Sequence, residues 1–283
     1  MPEIELRGGA LDGLRMHYIV DGHGPAVLLV HGLGGFAESW RHNIGYLGRQ
    51  ATVYAIDLPG FGRSGKPRAT YGLAFLAQAL RGFVEAMGLP RVTLIGHSLG
   101  GAAAVAYATA HAADVERLAL LGAVVPGFGY RMPLAYRLIA LPGVGELVSA
   151  WARPALYRAA VTRCFAEPID DEVSFLVDCA YATRTSSDGR AAYLATLRGV
   201  RPDFVDHAEQ YRKALGQLEV PVLLIHGRQD PVVPAAHCAR VIEACRRGSI
   251  RWLDRCGHFP HIEHAATVNT WLAEFLVGRV APR

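Results

Sequence analysis

Apolar and polar positions along the chain predict buried strands that alternate with helices over its first part. Strand-like runs, either apolar throughout or alternating in polarity, occupy residues 14–20, 26–30, 52–56, 91–95 and 115–121. Helical spacing, or a run of strong helix formers, covers residues 36–49, 73–87 and 101–110. Because buried strands separated by helices are typical of a parallel sheet covered on both faces, an α/β fold is predicted.

The alternation stops near Gly122. From residue 124 to 202 no convincing strand is visible, and the helical pattern is interrupted by prolines. This stretch is rich in aromatic residues: Phe128, Tyr130, Tyr136, Trp151, Tyr157, Phe165, Phe175, Tyr181 and Tyr193. Strands are expected again at 220–226 and 250–253, and helices at 234–245 and 264–277. We therefore predict a core domain of residues 1–123 and 206–283 that is interrupted by a helical cap (lid) at 124–205.

Composition narrows the class of protein. The chain has 283 residues, 51% of them hydrophobic and 19% charged, which fits a globular protein of one large domain with an insertion. The net charge of +4 is modest and the arginines are scattered, so nucleic-acid binding is not expected. No apolar run reaches the roughly 18 residues of a membrane span. The five cysteines form no dense framework, and no secretory signal pattern is visible, so a cytoplasmic protein with reduced thiols is expected.

A candidate nucleophile lies where a predicted strand meets a predicted helix. The segment Gly96-His97-Ser98-Leu99-Gly100 has the G-x-S-x-G pattern. Strand, sharp turn and helix form the context in which this pattern makes a nucleophile elbow. Gly96 and Gly100 have no Cβ, so they allow the chain to close tightly around Ser98.

A serine nucleophile needs a base within hydrogen-bond reach and a carboxylate that orients the base. Asp230 follows the predicted strand at 220–226, and His258 follows the last predicted strand. The order serine, acid, histidine is the one expected for the elbow motif. The competing acid is Asp254, and the competing bases are His261, placed at the surface or at an entrance, and His264, placed at the start of the last helix.

A glycine-rich loop directly follows the strand at 26–30. The run His31-Gly32-Leu33-Gly34-Gly35 can point backbone N–H groups at a developing oxyanion, and the expected donors are the amides of Leu33 and Leu99. His31 and His97 flank this region and are predicted to pack around the site, whereas His226 is predicted to be a hydrogen-bonded core residue.

Taken together, these segments resemble the α/β-hydrolase fold superfamily in its capped subgroup. The resemblance covers nearly the whole chain outside the predicted cap. It rests on five segments: His31-Gly32-Leu33-Gly34-Gly35, Asp57-Leu58-Pro59-Gly60-Phe61-Gly62-Arg63-Ser64, Gly96-His97-Ser98-Leu99-Gly100-Gly101, Gly227-Arg228-Gln229-Asp230 and Gly257-His258.

The resemblance implies Ser98 as nucleophile, Asp230 as the orienting acid and His258 as the base. It implies a structural, buttressing role for residues 57–64. Haloalkane dehalogenases and epoxide hydrolases of this fold use aspartate at the elbow, so Ser98 speaks against those activities.

The function expected first from the sequence is hydrolysis of small or medium apolar carboxylic esters through an acyl-enzyme, with no metal or organic cofactor. One alternative is a carbon–carbon bond hydrolase of the meta-cleavage-product type. Many of those relatives carry tryptophan after the catalytic histidine, whereas this chain has Phe259. Lipase, thioesterase, acyltransferase and perhydrolase activities stay open. An alternative of another class is a small-molecule receptor with a degraded triad, which the three intact triad positions disfavour. The sequence gives no oligomeric state.

Overall fold

A computed structural model describes residues 2–279; residues 1 and 280–283, at the ends of the predicted core domain, lie outside that part. The described chain contains one eight-stranded sheet. Its strands are β1 (Glu3–Glu5), β2 (Arg15–Asp21), β3 (Ala26–Val30), β4 (Thr52–Ile56), β5 (Val92–His97), β6 (Val115–Leu121), β7 (Val222–Gly227) and β8 (Gly248–Leu253).

The strands are arranged in the order β1-β2-β4-β3-β5-β6-β7-β8. The pairs β1–β2 and β2–β4 are antiparallel, and the remaining neighbours run parallel. Parallel pairing places Val30 beside Gly96 and Leu121 beside Ile225. The carboxyl ends of β3, β5, β6 and β7 therefore meet at one edge of the sheet, where ligands of open α/β sheets gather. The predicted mostly parallel α/β architecture is confirmed.

Three helices accompany the first strands: α1 (Ile44–Leu47), α2 (Leu73–Ala86) and α3 (Leu99–Ala110). The helical segment predicted over residues 36–49 is present but not continuous, because it forms a 3-10 helix at Ala37–Trp40 and then the short α1. Trp40 is fully buried, and the Asn43 amide donates to Asn269 Oδ1 at 2.7 Å. These tertiary contacts fix the segment at two points and override its local helix preference.

Seven helices lie between β6 and β7: α4 (Leu134–Ile139), α5 (Val144–Trp151), α6 (Pro154–Thr162), α7 (Asp170–Arg184), α8 (Ser187–Gly199), α9 (Arg201–Val205) and α10 (Ala208–Leu215). No strand occurs between residues 122 and 221, all of which the structure describes. Helix α10 packs against α3 of the core. The division into core and cap at residues 124 and 205 stays a prediction.

The chain then forms α11 (Ala235–Ala244), α12 (Pro260–Glu263) and α13 (Ala265–Leu276). Helix α12 was not predicted, because four residues are too few for a visible helical period. Among the described helices, none is both long enough and apolar enough to cross a bilayer.

The sheet is buried on both faces, as its apolar strands require. Along β3, Leu28 packs into a cluster with Phe83 of α2 and Val105 of α3. Its neighbour Leu29 packs into the opposite cluster with Phe275 of α13. Successive side chains of a strand point to opposite faces, so one apolar strand supplies both cores. This packing holds the strand ends that carry the site.

Candidate active site

Ser98 occupies a strained turn between β5 and α3. Its φ of 52° and ψ of −119° lie in a region that residues with a side chain rarely adopt. A Cβ on Gly96 would lie 2.5 Å from the Gly100 carbonyl oxygen, and one on Gly100 would lie 2.3 Å from the Val30 carbonyl oxygen. Only glycine fits at these two positions, and the turn presents the Ser98 hydroxyl at the carboxyl edge of the sheet.

The three predicted triad side chains come together in space. Ser98 Oγ lies 3.0 Å from His258 Nε2, and His258 Nδ1 lies 2.8 Å from Asp230 Oδ2. The other Asp230 oxygen, Oδ1, accepts hydrogen bonds from the amides of Val232 and Val233 at 2.8 and 2.9 Å. With Asp230 accepting from Nδ1–H, His258 presents an unprotonated Nε2 to the serine hydroxyl.

Asp230 is held in its charged form. Its side chain is fully buried, and burial alone would raise the pKa of this carboxyl. Three neighbours outweigh burial and lower the pKa of Asp230. The largest effect comes from the His258 ring, which faces the carboxyl and is hydrogen-bonded to it, and His226 and the Val233 amide add to it. The carboxylate is therefore available to favour a protonated His258 when a proton leaves Ser98.

His97 positions the main chain of His258. Its Nε2 donates to the His258 carbonyl oxygen at 2.8 Å, and the two rings lie 4.8 Å apart between centroids. Burial, followed by the charge of a protonated His258, lowers the pKa of His97 to about 3. His97 is thus a neutral donor at physiological pH. It fits the packing role predicted for it.

The loop that carries His258 is held by a carboxylate that the sequence analysis did not single out. Glu263 accepts hydrogen bonds from the amides of Gly257 and Phe259 at 2.9 and 3.0 Å, and from the amide of Ala166 at 2.9 Å. It therefore ties the His258 loop to the segment between α6 and α7. No local pattern marks this role, because one of its partners lies 97 residues away.

The predicted oxyanion loop is fixed by His31. Nδ1 of this ring donates to the Gly32 carbonyl oxygen at 2.7 Å, and Nε2 accepts from the Leu58 amide at 3.0 Å. Burial lowers the pKa of His31, so the ring stays neutral. The amides of Leu33 and Leu99 donate no hydrogen bond within the described chain, and both residues line the cavity above Ser98. The geometry leaves these two N–H groups available for a ligand oxygen.

The segment 57–64 supports this loop from behind. The buried Asp57 carboxylate binds His17 Nδ1 at 2.8 Å and accepts from the amides of Ala37 and Arg63 at 2.6 and 2.8 Å. Burial would raise the pKa of Asp57, but its hydrogen bond to His17, the His31 ring and these amides lower it. A Cβ on Gly62 would lie 2.1 Å from this carboxyl, so only glycine fits there.

The competing residues lie elsewhere or bind other groups. The Asp254 side chain is 81% exposed and pairs with Arg228 at 3.0 Å, so it is no part of the cluster. His264, half-buried at the start of α13, binds the Arg255 carbonyl oxygen. His226 binds the Val233 carbonyl oxygen in the core, as expected.

Of the two positions expected for His261, at the surface or at an entrance, the surface one is wrong, because the side chain lines the cavity. It is 1% exposed and stacks on Trp40 at 4.3 Å between ring centroids, because α12 turns its side chain inward. It forms part of the cavity wall and lies 4.7 Å from the His97 ring.

A cavity of about 270 Å³ extends from Ser98 and His258 toward the helices between β6 and β7. Its walls are mostly apolar. Four of the nine aromatic residues named above line it: Tyr130, Tyr136, Tyr157 and Tyr193. Periodicity could not identify them, because the helices bring their residues to the cavity from several directions.

One cationic side chain enters this cavity, and the sequence analysis missed it. Arg184, at the end of α7, lies over the Tyr193 ring at 3.6 Å and over the Tyr157 ring at 4.8 Å. Within the described residues it forms no ion pair. A Cβ on Gly34 would approach its Nη1 to 3.3 Å, so the guanidinium reaches the oxyanion loop. Across the described chain, no three histidine, cysteine or acidic side chains are grouped to hold a metal ion.

Comparison with known proteins identifies the family. The family model described as "Alpha/beta hydrolase family" matches residues 27–271. The chain belongs to the α/β hydrolase family. One relative is a 2-hydroxy-6-oxo-6-(2'-aminophenyl)hexa-2,4-dienoic acid hydrolase from Metapseudomonas resinovorans, 30% identical over 94% of this chain and 89% of its own.

Two solved structures share the fold. The 2-hydroxy-6-oxo-6-phenylhexa-2,4-dienoate hydrolase from Rhodococcus sp. strain RHA1 has a TM-score of 0.83 and 25% identity over 98% of this chain and 99% of its own. An esterase from Exiguobacterium antarcticum has a TM-score of 0.80 and 20% identity over 98% of this chain and 99% of its own.

Proposed function

We propose that this protein is a serine hydrolase that cleaves the carbon–carbon bond of a 2-hydroxy-6-oxo-dienoate, with Ser98, His258 and Asp230 as its catalytic residues. The sequence by itself favoured ester hydrolysis. Several relatives are named as hydrolases of 2-hydroxy-6-oxo dienoic or dienedioic acids or of 2-hydroxymuconate semialdehyde. These names support cleavage of a carbon–carbon bond instead.

The observation that carries the proposal is the charge of Arg184. A guanidinium without an acidic partner in a mostly apolar cavity favours an anionic ligand, because a carboxylate is the group that it binds most strongly. A dienoate brings a carboxylate, whereas a simple neutral ester brings none. The two tyrosine rings hold the guanidinium in place, so little side-chain entropy is lost when it binds.

Ser98 starts the proposed reaction at the C6 carbonyl of the substrate, in its 2-oxo tautomer. His258 takes the hydroxyl proton as Oγ bonds to C6, and the amides of Leu33 and Leu99 bind the oxyanion. The C5–C6 bond then breaks, its electron pair is delocalised toward the 2-oxo group, and His258 returns the proton to the leaving fragment. Water activated by His258 finally hydrolyses the acyl-enzyme.

The helices between β6 and β7 have a separate role in this proposal. We assign residues 124–205 to a cap that covers the cavity and excludes bulk water from the reacting carbonyl. The cap also supplies Arg184 and the cavity tyrosines. In this proposal the cap residues therefore select the substrate, and the core residues carry out the bond cleavage.

Ester hydrolysis is the second candidate. The same triad and oxyanion amides suit an ester carbonyl, and the apolar walls suit an apolar acyl or alcohol group. Phe259 beside the catalytic histidine, in place of the tryptophan common among carbon–carbon hydrolases, also speaks for this candidate.

The test compares two substrates with three variants. Turnover of a 6-phenyl dienoate is monitored through the loss of its absorbance. Turnover of a neutral p-nitrophenyl ester is measured in parallel. We expect Ser98→Ala to lower kcat for either substrate by at least about 10³-fold. Arg184→Met should raise KM for the dienoate by about 10–100-fold through the lost charge-assisted bond and leave KM for the ester little changed. The matched control is Arg137→Met, an exposed arginine of α4 that does not line the cavity.

Rapid ester turnover without any dienoate turnover would reverse the order of the two candidates. Equal activity of wild type and Ser98→Ala would contradict both of them.

A further inference from the structure

The outer surface of α4, α5 and the start of α6 exposes large apolar side chains to solvent. Trp151 is 74% exposed and Leu147 is 63% exposed. Four more exposed leucines lie on this segment: Leu134, Leu138, Leu141 and Leu156. Helices α4 and α5 pack against each other, and Val148 of α5 and Leu156 of α6 line the same cavity, so these side chains lie near one another on this segment. Exposed apolar groups at this density indicate an interaction site.

The same segment is strongly basic. Residues 131–163 contain five arginines and one acidic residue, Glu146, which gives a net charge of +4. The acidic charge is already neutralised, because Arg198 of α8 binds Glu146 at 2.9 Å. Arg158 pairs with Asp170 at 3.0 Å. The other four arginines are exposed and form no ion pair within the described residues: Arg131, Arg137, Arg153 and Arg163.

This surface also meets the mouth of the cavity. Val148 of α5 and Leu156 of α6 line the cavity and are at the same time 36% and 54% exposed. Leu147 and Trp151 do not line it. A molecule that reaches the cavity between α5 and α6 therefore crosses the apolar surface first.

We propose that this surface, residues 131–163, docks on an anionic lipid bilayer. Leu147 and Trp151 insert at the boundary between headgroups and acyl chains, and the four unpaired arginines bind the headgroup phosphates. Apolar side chains with a tryptophan, flanked by arginine, have the chemistry of a helix that lies on a membrane surface.

Charge argues for lipid over a second copy of this chain. If two copies docked through this surface, the arginines of one copy would face and repel those of the other. An anionic bilayer instead attracts these arginines. The contact needs no membrane-spanning helix. It is also independent of which bond the active site cleaves.

The test is co-sedimentation of the full chain with lipid vesicles. One set contains equal parts of phosphatidylglycerol and phosphatidylcholine, and the other contains phosphatidylcholine alone. The variant is Leu147→Glu with Trp151→Glu. The matched control is Val20→Glu with Val277→Glu, which makes the same charge change at an exposed valine of β2 and at the exposed valine that follows α13.

Wild type and the control should bind the anionic vesicles at low salt, and the variant should bind them at least about tenfold more weakly. Binding should weaken in about 1 M NaCl, where the Debye length is about 3 Å. Wild-type tryptophan fluorescence should shift to the blue on binding, and the variant should keep wild-type turnover of a water-soluble substrate.

Three results would overturn the proposal: no binding of wild type to anionic vesicles, equal binding to both vesicle types, or unchanged binding of the variant. A wild-type dimer in light scattering that the variant dissociates, with no vesicle binding, would assign the surface to a second copy instead. The vesicle-binding readout uses no substrate, so failure of the proposed reaction leaves this part of the test intact.

Discussion

Single hydrogen bonds decide which nitrogen of His258 faces the Ser98 hydroxyl. Asp230 can serve only as an acceptor toward His258 Nδ1, and two backbone amides hold its other oxygen. The carboxylate therefore determines both the orientation and the tautomer of the His258 ring. His97 adds to this by binding the His258 carbonyl oxygen, and Glu263 by accepting from the amides of the two flanking residues, Gly257 and Phe259.

Asp230→Asn should retain the fold and lose most of the activity. The asparagine oxygen can keep the bonds from the Val232 and Val233 amides, but its NH₂ group then donates toward His258 and favours the wrong tautomer. We expect kcat to fall by about 10⁴-fold with little change in the free energy of unfolding. Steady-state kinetics and urea unfolding check both parts. Asp254→Asn, at the exposed competing acid, should match wild type, and an active Asp230→Asn enzyme would remove Asp230 from the mechanism.

At the scale of elements, close backbone approaches hold the elbow and the oxyanion loop together. Gly100, the second residue of α3, lies directly against the end of β3, so the helix start and the loop at 31–35 share one contact. A side-chain contact joins α9 to α2, where Asp203 Oδ2 accepts from the Leu73 amide at 2.9 Å. This carboxylate satisfies a free N–H group at the start of α2 from 130 residues away.

Gly100→Ala should destabilise the protein and lower its activity. The added Cβ would lie 2.3 Å from the Val30 oxygen and 2.4 Å from the His31 oxygen, both of them backbone atoms that cannot rotate away. We expect the free energy of unfolding to fall by about 1–3 kcal/mol, together with a loss of kcat as the Leu99 amide moves.

The matched control is Gly45→Ala in α1, where the nearest atom to a new Cβ is Asp21 Oδ2 at 3.6 Å. That variant should be neutral or stabilised by up to about 1 kcal/mol. Urea unfolding measures both variants, and equal stabilities would contradict the close approach at Gly100.

At the scale of the whole molecule, the buried histidines make stability depend on pH. Burial lowers the pKa of five of them: His31, His97, His226, His237 and His261. In His237 the pKa falls to about 4. Each of these rings takes up a proton near pH 6.5 in the unfolded chain and only at lower pH in the folded one. The unfolded state therefore gains protons first as the pH falls.

The free energy of unfolding should be nearly constant above about pH 7 and decrease as the pH falls below about 6.5. Each of the five rings contributes about 1.4 kcal/mol per pH unit until its folded-state pKa is reached. The lowered pKa values of Asp57 and Asp230 add a further loss below about pH 4, where these carboxylates take up protons first in the unfolded chain.

Urea unfolding from pH 8 to pH 4.5 measures this slope. His237→Gln should reduce the slope of the free energy of unfolding against pH by the contribution of one proton between about pH 6 and 4.5. Glutamine can keep the hydrogen bonds of His237 without titrating. His23→Gln, at an exposed position, is the control. A stability that stays flat down to pH 4.5 would contradict the assignment of neutral buried histidines.

The sequence by itself determined the features that depend on local pattern. Strands β3, β4 and β6 begin and end where their apolar runs do, because burial on both faces of a sheet requires apolar residues throughout. Ser98, Asp230 and His258, which lie together in space, were proposed as site residues because tight turns at strand ends need particular residues, and glycine marks those turns.

Tertiary structure alone decided the surroundings of these residues. Arg184 in the cavity, Glu263 on the His258 loop and His261 in the cavity wall depend on partners far along the chain, which no local period encodes. The broken segment at 36–49 has the same cause, since Trp40 and Asn43 are held by distant contacts. Side-chain chemistry and local propensity are written in the sequence, whereas burial, facing charges and hydrogen-bond geometry arise only when distant segments pack together.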